Sequence, residues 1–189
     1  WAAGRPPRPG AAQRRPGQFG PGDIYARLPP VDDRGEDQVA KFLLWNPDPV
    51  GRHAAQVAAL DPRLAAVVRR IEAESPELRF VVGSGRRSFA EQKQAEAWGW
   101  APPRRAATAE SYGGGSHGRH VRGEAVDLWP LDSEGRVIFD PAAQRRLAQA
   151  AKRAAAALGV GLLWGGDFPG RKDPPHFELT ARSGRAPQR

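Results

Sequence analysis

Apolar positions along this chain follow two periods, and the switches between them mark its elements. From Asp61 onward, Leu64, Val67, Val68 and Ile71 recur at i, i+3, i+4 and i+7, the stripe of an amphipathic helix. Asp61 suits the N-cap, and Pro62 fits the first helical position, where a missing N–H costs nothing. Leu78-Arg79-Phe80-Val81-Val82 reads as a strand that Gly83-Ser84-Gly85 interrupts. Ser88-x-x-Glu91 is a capping box opening a helix to about Trp98. Glu124 to Trp129 reads as a strand, and Asp132-Ser133-Glu134-Gly135 as a turn into another, Arg136 to Phe139. Asp140-Pro141 repeats the cap-plus-proline signal before an Ala-rich helix to Leu158, which Gly159 ends. Leu162 to Trp164 and His176 to Thr180 are short strands. Short strands and helices in this order predict an α+β domain, a small antiparallel sheet flanked by helices.

Upstream the pattern thins. Val39, Phe42, Leu43 and Leu44 make a brief helical stripe near residues 36–45, stopped by Asn46-Pro47-Asp48-Pro49. A helix that short needs something to pack on. Residues 1–53 hold nine of the 19 Pro and seven of the 22 Gly, so they read as a Pro/Gly/Arg-rich extended arm carrying that helix. The predicted division is arm 1–53, a globular domain 54–180 and basic tail 181–189. Arg5, Arg8, Arg14 and Arg15 occur with no acid among the first twenty positions. Such a segment becomes ordered by leaning on another surface, so the expected role is a tether or docking segment for an acidic protein partner.

The formal charge of +8 favours anionic partners, among them nucleic acid, anionic lipid and anionic cell-wall polymer. No recognised nucleic-acid module is present and aromatics do not interleave with the basic residues, so no specific nucleic acid is expected. The absence of Cys excludes disulfides and thiolate metal sites. No apolar run is long enough for a membrane span. No signal peptide is legible, and a chain that starts at Trp1 without any Met reads as a processed form or a piece of something longer.

The chemistry lies in the histidines. A lone His is most often structural or exposed, but two of the four here have telling neighbours. His120 leads into Gly123-Glu-Ala125-Val-Asp127-Leu128. On a strand, alternation puts Gly123, Ala125 and Asp127 on one face while Val126 and Leu128 point into the core. Two very small residues beside one acid leave space for an ion and a substrate. In Asp173-Pro-Pro-His176-Phe177-Glu178-Leu179, Phe177 and Leu179 anchor a strand whose other face carries His176 and Glu178. If the two strands are neighbours, two imidazoles and a carboxylate converge, a set that suits zinc with a fourth position open.

These residues resemble the family of zinc D,D-carboxypeptidases, D,D-dipeptidases and L-alanyl-D-glutamate endopeptidases that includes phage endolysins. The family pattern is S-x-H-x-x-G-x-A-x-D, then W-G-G-D, then D/E-x-P-H-F. Here His120, Gly123, Ala125 and Asp127 are followed by Trp164-Gly-Gly-Asp167 and by Asp173-x-Pro175-His176-Phe177. Upstream, Ser84-Gly-Arg-Arg87-Ser88 with Gln92 matches the S-G-x-R-S element and its following Gln. Four motifs in order across residues 60–180 are specific, though each alone is weak. The resemblance implies a hedgehog/DD-peptidase-like fold and peptidoglycan as substrate, cut at the cell wall in the periplasm, outside the cell or by phage delivery. It implies one zinc ion on His120, Asp127 and His176, Asp173 as general base, and Arg87 on the scissile carbonyl. Gln92 then lies on the substrate side, and Asp167 and Glu178 hold a ligand ring from behind, with loop capping an equal reading for Asp167.

The family Ser two residues before the first His is Gly118 here, which puts substrate binding in question; Ser116 or Ser111 on the same loop could replace it. His117 competes with His120 as a ligand but breaks the spacing to Asp127. Arg86 competes with Arg87, and the motif favours Arg87. His53 reads as a surface residue. Trp98, Trp100, Trp129 and Trp164 could form a substrate platform, although packing is the ordinary use of any one Trp. The competing class is a non-catalytic structural or binding module, such as a phage-particle component, that keeps the same fold.

Overall fold

The structure is a computed structural model, and it describes residues 36–98, 118–169 and 172–180. Among these residues it forms five α-helices and one antiparallel sheet. The helices are α1 (Glu36–Trp45), α2 (Pro49–Ala58), α3 (Pro62–Glu74), α4 (Phe89–Ala97) and α5 (Pro141–Ala157); the strands are β1 (Phe80–Ser84), β2 (Ala125–Pro130), β3 (Leu162–Trp164) and β4 (His176–Leu179). The strand order is β1-β2-β4-β3. No described helix is long and apolar enough to cross a membrane.

The predicted caps account for three helix starts: Asp61 and Asp140 each accept an N–H from the first turn of α3 and α5, and Ser88 and Glu91 complete the capping box of α4. Asp48, read from sequence only as part of a helix stop, caps α2, a helix the pattern did not predict. The apolar stripe of α3 and the Ala-rich face of α5 close over one side of the sheet. There Val82, Val126, Leu128, Phe177 and Leu179 pack with Leu64, Val67, Val68, Ile71 and Leu147. The small alanines at 148, 151, 154 and 155 let α5 come close to its neighbours. The opposite face of the sheet carries Ala125, Asp127 and Trp129 from β2 and His176 and Glu178 from β4, as strand alternation requires.

Three sequence expectations change. The predicted strand over residues 136–139 reduces to a single bridge, Leu131 to Val137. The Asp132 carboxylate takes the N–H groups of Glu134 and Arg136, holding the segment as a turn rather than a ladder. His53 is not a surface residue: it is 18% exposed, accepts the Val82 N–H at 3.0 Å through Nδ1 and meets Glu72 at 2.7 Å through Nε2. The reason is that β1 is an edge strand, and His53 covers its unpaired amide. Asn46, fully buried, covers the same edge by donating to the carbonyls of Val82 and Gly83.

The domain boundary drawn at residue 54 therefore falls inside α2, and α1 also packs on the sheet. Phe42 stacks on Trp129 with ring centroids 4.6 Å apart, in a second cluster with Val81. A Cβ at Gly83 would lie 2.2 Å from the Phe42 ring and 2.8 Å from Trp129, so that position must be glycine for α1 to seat. Of the predicted apolar stripe only Phe42 is buried, while Leu43 and Leu44 are exposed. The arm residues 1–35 and the tail 181–189 lie outside the described residues.

Phe42→Ala is expected to lower unfolding stability by about 3 kcal/mol, the ordinary cost of emptying a buried Phe site. Deleting residues 1–35 is expected to leave the urea midpoint in place. A loss below about 0.5 kcal/mol for Phe42→Ala, the range of neutral surface changes, would show that α1 is not part of the cooperative unit.

Candidate metal and active site

The site begins with strand register. β2 and β4 pair Asp127 with His176 and Ala125 with Glu178, which brings these side chains to one face. On the other side of β2, β1 carries a bulge between Val82 and Ser84 that sets Ser84 opposite Asp127. One extra residue thus re-aims the chain toward the site. His120 comes from the turn before β2. Gly123 in that turn has φ +74°, and a Cβ there would lie 3.1 Å from the Asp61 nitrogen and 3.2 Å from the Ala59 carbonyl. Its small size serves a left-handed turn and close passage to the α2–α3 link, rather than open space before Asp127.

Three ligand-type atoms meet. His120 Nε2 is 3.3 Å from His176 Nδ1 and 3.4 Å from Asp127 Oδ1, and His176 Nδ1 is 3.2 Å from the same oxygen. Among the described residues this is a group that could hold a metal ion. The remaining polar atom of each side chain is fixed from behind. His120 Nδ1 donates to the Gly85 carbonyl at 2.9 Å, His176 Nε2 lies 3.1 Å from Glu178 Oε2, and Asp127 Oδ2 accepts from Arg87 Nη2 at 2.7 Å. The Gly85 bond places the His120 proton on Nδ1 and leaves Nε2 as a lone-pair donor.

Arg87 is the hub behind the carboxylate. It is 8% exposed, and besides Asp127 its Nε donates to Ser84 Oγ at 2.7 Å and its Nη1 to Gln92 Oε1 at 3.3 Å. The Ser84-to-Ser88 motif is thus accounted for residue by residue: Ser84 steadies Arg87, Gly85 orients His120, Arg87 holds Asp127 and Ser88 caps α4. Arg86 is exposed and reaches the Val121 carbonyl instead. Gln92, expected on the substrate side, is 2% exposed and braces Arg87 from the helix, although it still borders the cleft.

A cleft of about 560 Å³ opens over these groups and is also lined by Asp173, Phe168 and α1. Asp173 is held by its backbone, which exchanges hydrogen bonds with Gly165 and His176. A Cβ at Gly165 would sit 2.2 Å from the Asp173 carbonyl oxygen, and Trp164 Nε1 donates to the Pro174 carbonyl at 2.7 Å. The Trp-Gly pair of the W-G-G-D motif therefore positions the Asp173 loop. Asp167 does not reach the cluster: it is exposed and pairs with Lys152 on α5. Glu178 does stand behind a ring, that of His176. Of the tryptophans, Trp129 and Trp45 line the cleft, Trp164 braces the loop and Trp98 packs edge-on against Trp45. Ser111, Ser116, His117 and Trp100 lie outside the described residues. The reading from sequence missed Trp45 and Phe168, whose ring centroid is 5.8 Å from that of His176; a single aromatic in a loop or arm carries no pattern to find it by.

Electrostatics separate the two imidazoles. Burial, and then the Arg87 charge, push His120 below the usual imidazole range. Burial also opposes protonation of His176, but hydrogen bonds to Asp127 and Glu178 and the Asp127 and Asp173 charges outweigh it and raise His176 to about 9. Burial works to raise Asp127, yet His120, His176 and Arg87 hold it well below the ordinary carboxylate range. In metal-stripped protein the His176 contribution to stability is fully present below its unfolded value near 6.5 and is lost as pH rises through about 9. Asp127→Asn is expected to bring the His176 titration, followed by NMR of the imidazole, down from there; an unchanged titration would remove Asp127 as the cause.

A sequence profile of the family described as phage L-alanyl-D-glutamate peptidase matches residues 50–180. The fold is similar to the crystal structure of the Serratia marcescens L-Ala D-Glu endopeptidase ChiX, with a TM-score of 0.57 and 28% identity over 72% of this chain and 95% of that one. With the ordered motifs and the convergent His-Asp-His cluster, these findings show that the chain belongs to the phage L-alanyl-D-glutamate peptidase family, enzymes that hydrolyse peptidoglycan.

Proposed function

We propose that the protein is a zinc-dependent endopeptidase that hydrolyses the amide between L-alanine and D-glutamate in peptidoglycan stems, as a phage lysin or virion-associated component. The observation that carries this reading is the triangle of His120 Nε2, His176 Nδ1 and Asp127 Oδ1. Its edges of 3.3, 3.2 and 3.4 Å lie at or just under the ~3.3–3.6 Å between neighbouring ligands of a tetrahedral ion bound at about 2.0–2.2 Å. Two imidazoles and one carboxylate are a donor set that zinc accepts with a position left open. The residues present fit that ion, and His120, Asp127 and His176 would hold it. Bound there, zinc supplies Lewis-acid polarisation of a carbonyl and a lowered pKa for water.

The chain's own groups supply the rest. Asp173, exposed on a backbone-braced loop at the cleft, is the candidate general base; it takes the proton from the attacking water and returns it to the departing D-glutamate nitrogen. Arg87 has N–H groups beyond those given to Asp127, Ser84 and Gln92, and its charge stabilises the oxyanion that develops on the carbonyl. Its pairing with Asp127 also fixes that carboxylate. Glu178 holds the His176 ring, and the Gly85 carbonyl holds the His120 ring. The rigid sheet keeps this constellation in place without substrate.

Asp173→Ala is expected to lower turnover by about 10²–10⁴ with zinc content unchanged. Arg87→Ala is expected to weaken both turnover and zinc affinity, the latter by about 10–100-fold, because it frees Asp127; Arg86→Ala changes neither. Digestion of purified peptidoglycan, read by mass spectrometry, should yield new D-glutamyl amino ends and L-alanyl carboxyl ends, and a chelator should stop it. Intact peptidoglycan with zinc-loaded protein would instead favour the non-catalytic binding module.

A further inference from the structure

The guanidinium of Arg87 is held at its edge by Ser84 Oγ, Gln92 Oε1 and Asp127 Oδ2. Hydrogen bonds in the plane of the group fix where its fork points but leave its flat faces to whatever packs on them. Trp45 packs there, with the guanidinium carbon 5.6 Å from the ring centroid. That distance is within cation–π range, and the attraction grows as water is excluded. Water is largely excluded here. Arg87 is buried, and burial works against its charge while Asp127, Asp173 and Glu91 favour it.

The chain places this ring with several separate contacts. Trp45 is the last residue of α1, and the residues around it are fastened to the sheet. One turn earlier, Phe42 stacks on Trp129 in the space that Gly83 leaves by having no side chain. Immediately after it, the fully buried Asn46 donates to the carbonyls of Val82 and Gly83. Trp98, at the end of α4, meets the Trp45 ring edge-on with centroids 5.7 Å apart. The same helix supplies Gln92 to the edge of Arg87. Meanwhile Leu43 and Leu44 stay exposed, so apolar burial alone does not set the rotation of α1. The family profile matches residues 50–180, so α1 brings the ring from upstream of the matched segment.

Resting on the role proposed above for Arg87, we infer that Trp45 is a positioning residue for the reaction. It closes a face of the Arg87 guanidinium and keeps the N–H groups not given to Ser84, Gln92 and Asp127 aimed at the scissile carbonyl. Trp45 acts through Arg87. Without the ring, water reaches the guanidinium face and the group tilts about its in-plane hydrogen bonds, which spreads the directions of the donors that meet the oxyanion.

The test uses the zinc-loaded full chain and compares Trp45→Phe, which keeps an aromatic face, with Trp45→Leu, which keeps apolar bulk without one. Exchange of the Arg87 Nε proton with solvent, followed by NMR, is expected to quicken about tenfold in Trp45→Leu, the range of one partly buried cation–π contact, and to change little in Trp45→Phe. On a soluble peptide with one L-alanyl-D-glutamyl bond, Trp45→Leu should lower kcat by about tenfold with KM and zinc content unchanged. Trp45→Phe should keep most of kcat. Arg87→Lys should lower kcat by itself, and adding Trp45→Leu to it should lower kcat no further, because the planar fork that the ring positions is gone. Unchanged exchange and kcat in Trp45→Leu overturn the inference. So does a rise in KM with kcat intact, which makes Trp45 a substrate contact, and so does an equal loss in the Arg87→Lys background, which makes its effect independent of Arg87. These three results leave the endopeptidase reading standing. Full turnover by Arg87→Lys overturns the role of Arg87 and the inference with it, and wild-type protein that leaves the peptide intact overturns the endopeptidase reading and both.

Discussion

Asp127 on β2 accepts Arg87 on one oxygen and presents the other to His120 and His176, so a single buried carboxylate ties together three parts of the chain. A carboxylate 16% exposed beside a guanidinium 8% exposed survives only when each is matched by the other and by further hydrogen bonds. Ser84 and Gln92 complete the set for Arg87. That requirement reaches outward into the fold. The β1 bulge exists where Ser84 must face Asp127, and the β2–β4 register sets Asp127 against His176. Removing either charge would leave its partner buried alone, at a cost of about 3–5 kcal/mol, so structure and site share the same residues.

The sheet divides its two faces between these tasks. Val126, Leu128, Phe177 and Leu179 point to the α3–α5 core, and the alternate positions Asp127, His176 and Glu178 face the cleft. Strand alternation alone lets six consecutive residues of β2 serve stability and chemistry at once. The edge of β1 is closed by side chains, not by another strand. His53 and Asn46 take up the free groups of Val82 and Gly83 and thereby dock α1 and α2 where the cleft needs a wall.

Much of this is readable from residues in order. Caps at Asp61, Ser88 and Asp140 were legible because N-cap chemistry is local, and the His-Asp-His set was legible because period two assigns faces to β2 and β4. What did not show was tertiary. Nothing local distinguishes a surface His53 from one that accepts an edge amide, and Gly123 looks the same whether it clears room for an ion or permits a left-handed turn. The W-G-G-D motif pointed to Asp167 because an acid invites a chemical role, while the structure uses Trp164 and Gly165 to brace Asp173. Proline-rich composition over residues 1–53 suggested an arm, and an average over that length conceals Phe42 and Asn46, which fasten its last part to the sheet.

The central claim is that His120, Asp127 and His176 form one tetrahedral zinc site. Zinc-edge X-ray absorption of the purified protein, with metal content measured on the same sample, tests it most directly. The account predicts one zinc per chain with two imidazole nitrogens and carboxylate and solvent oxygen at about 2.0–2.2 Å, and loss of the imidazole signature in proportion when His120 or His176 is replaced. An ion surrounded by oxygen alone, or a spectrum that His120→Ala and His176→Ala leave unchanged, would contradict it.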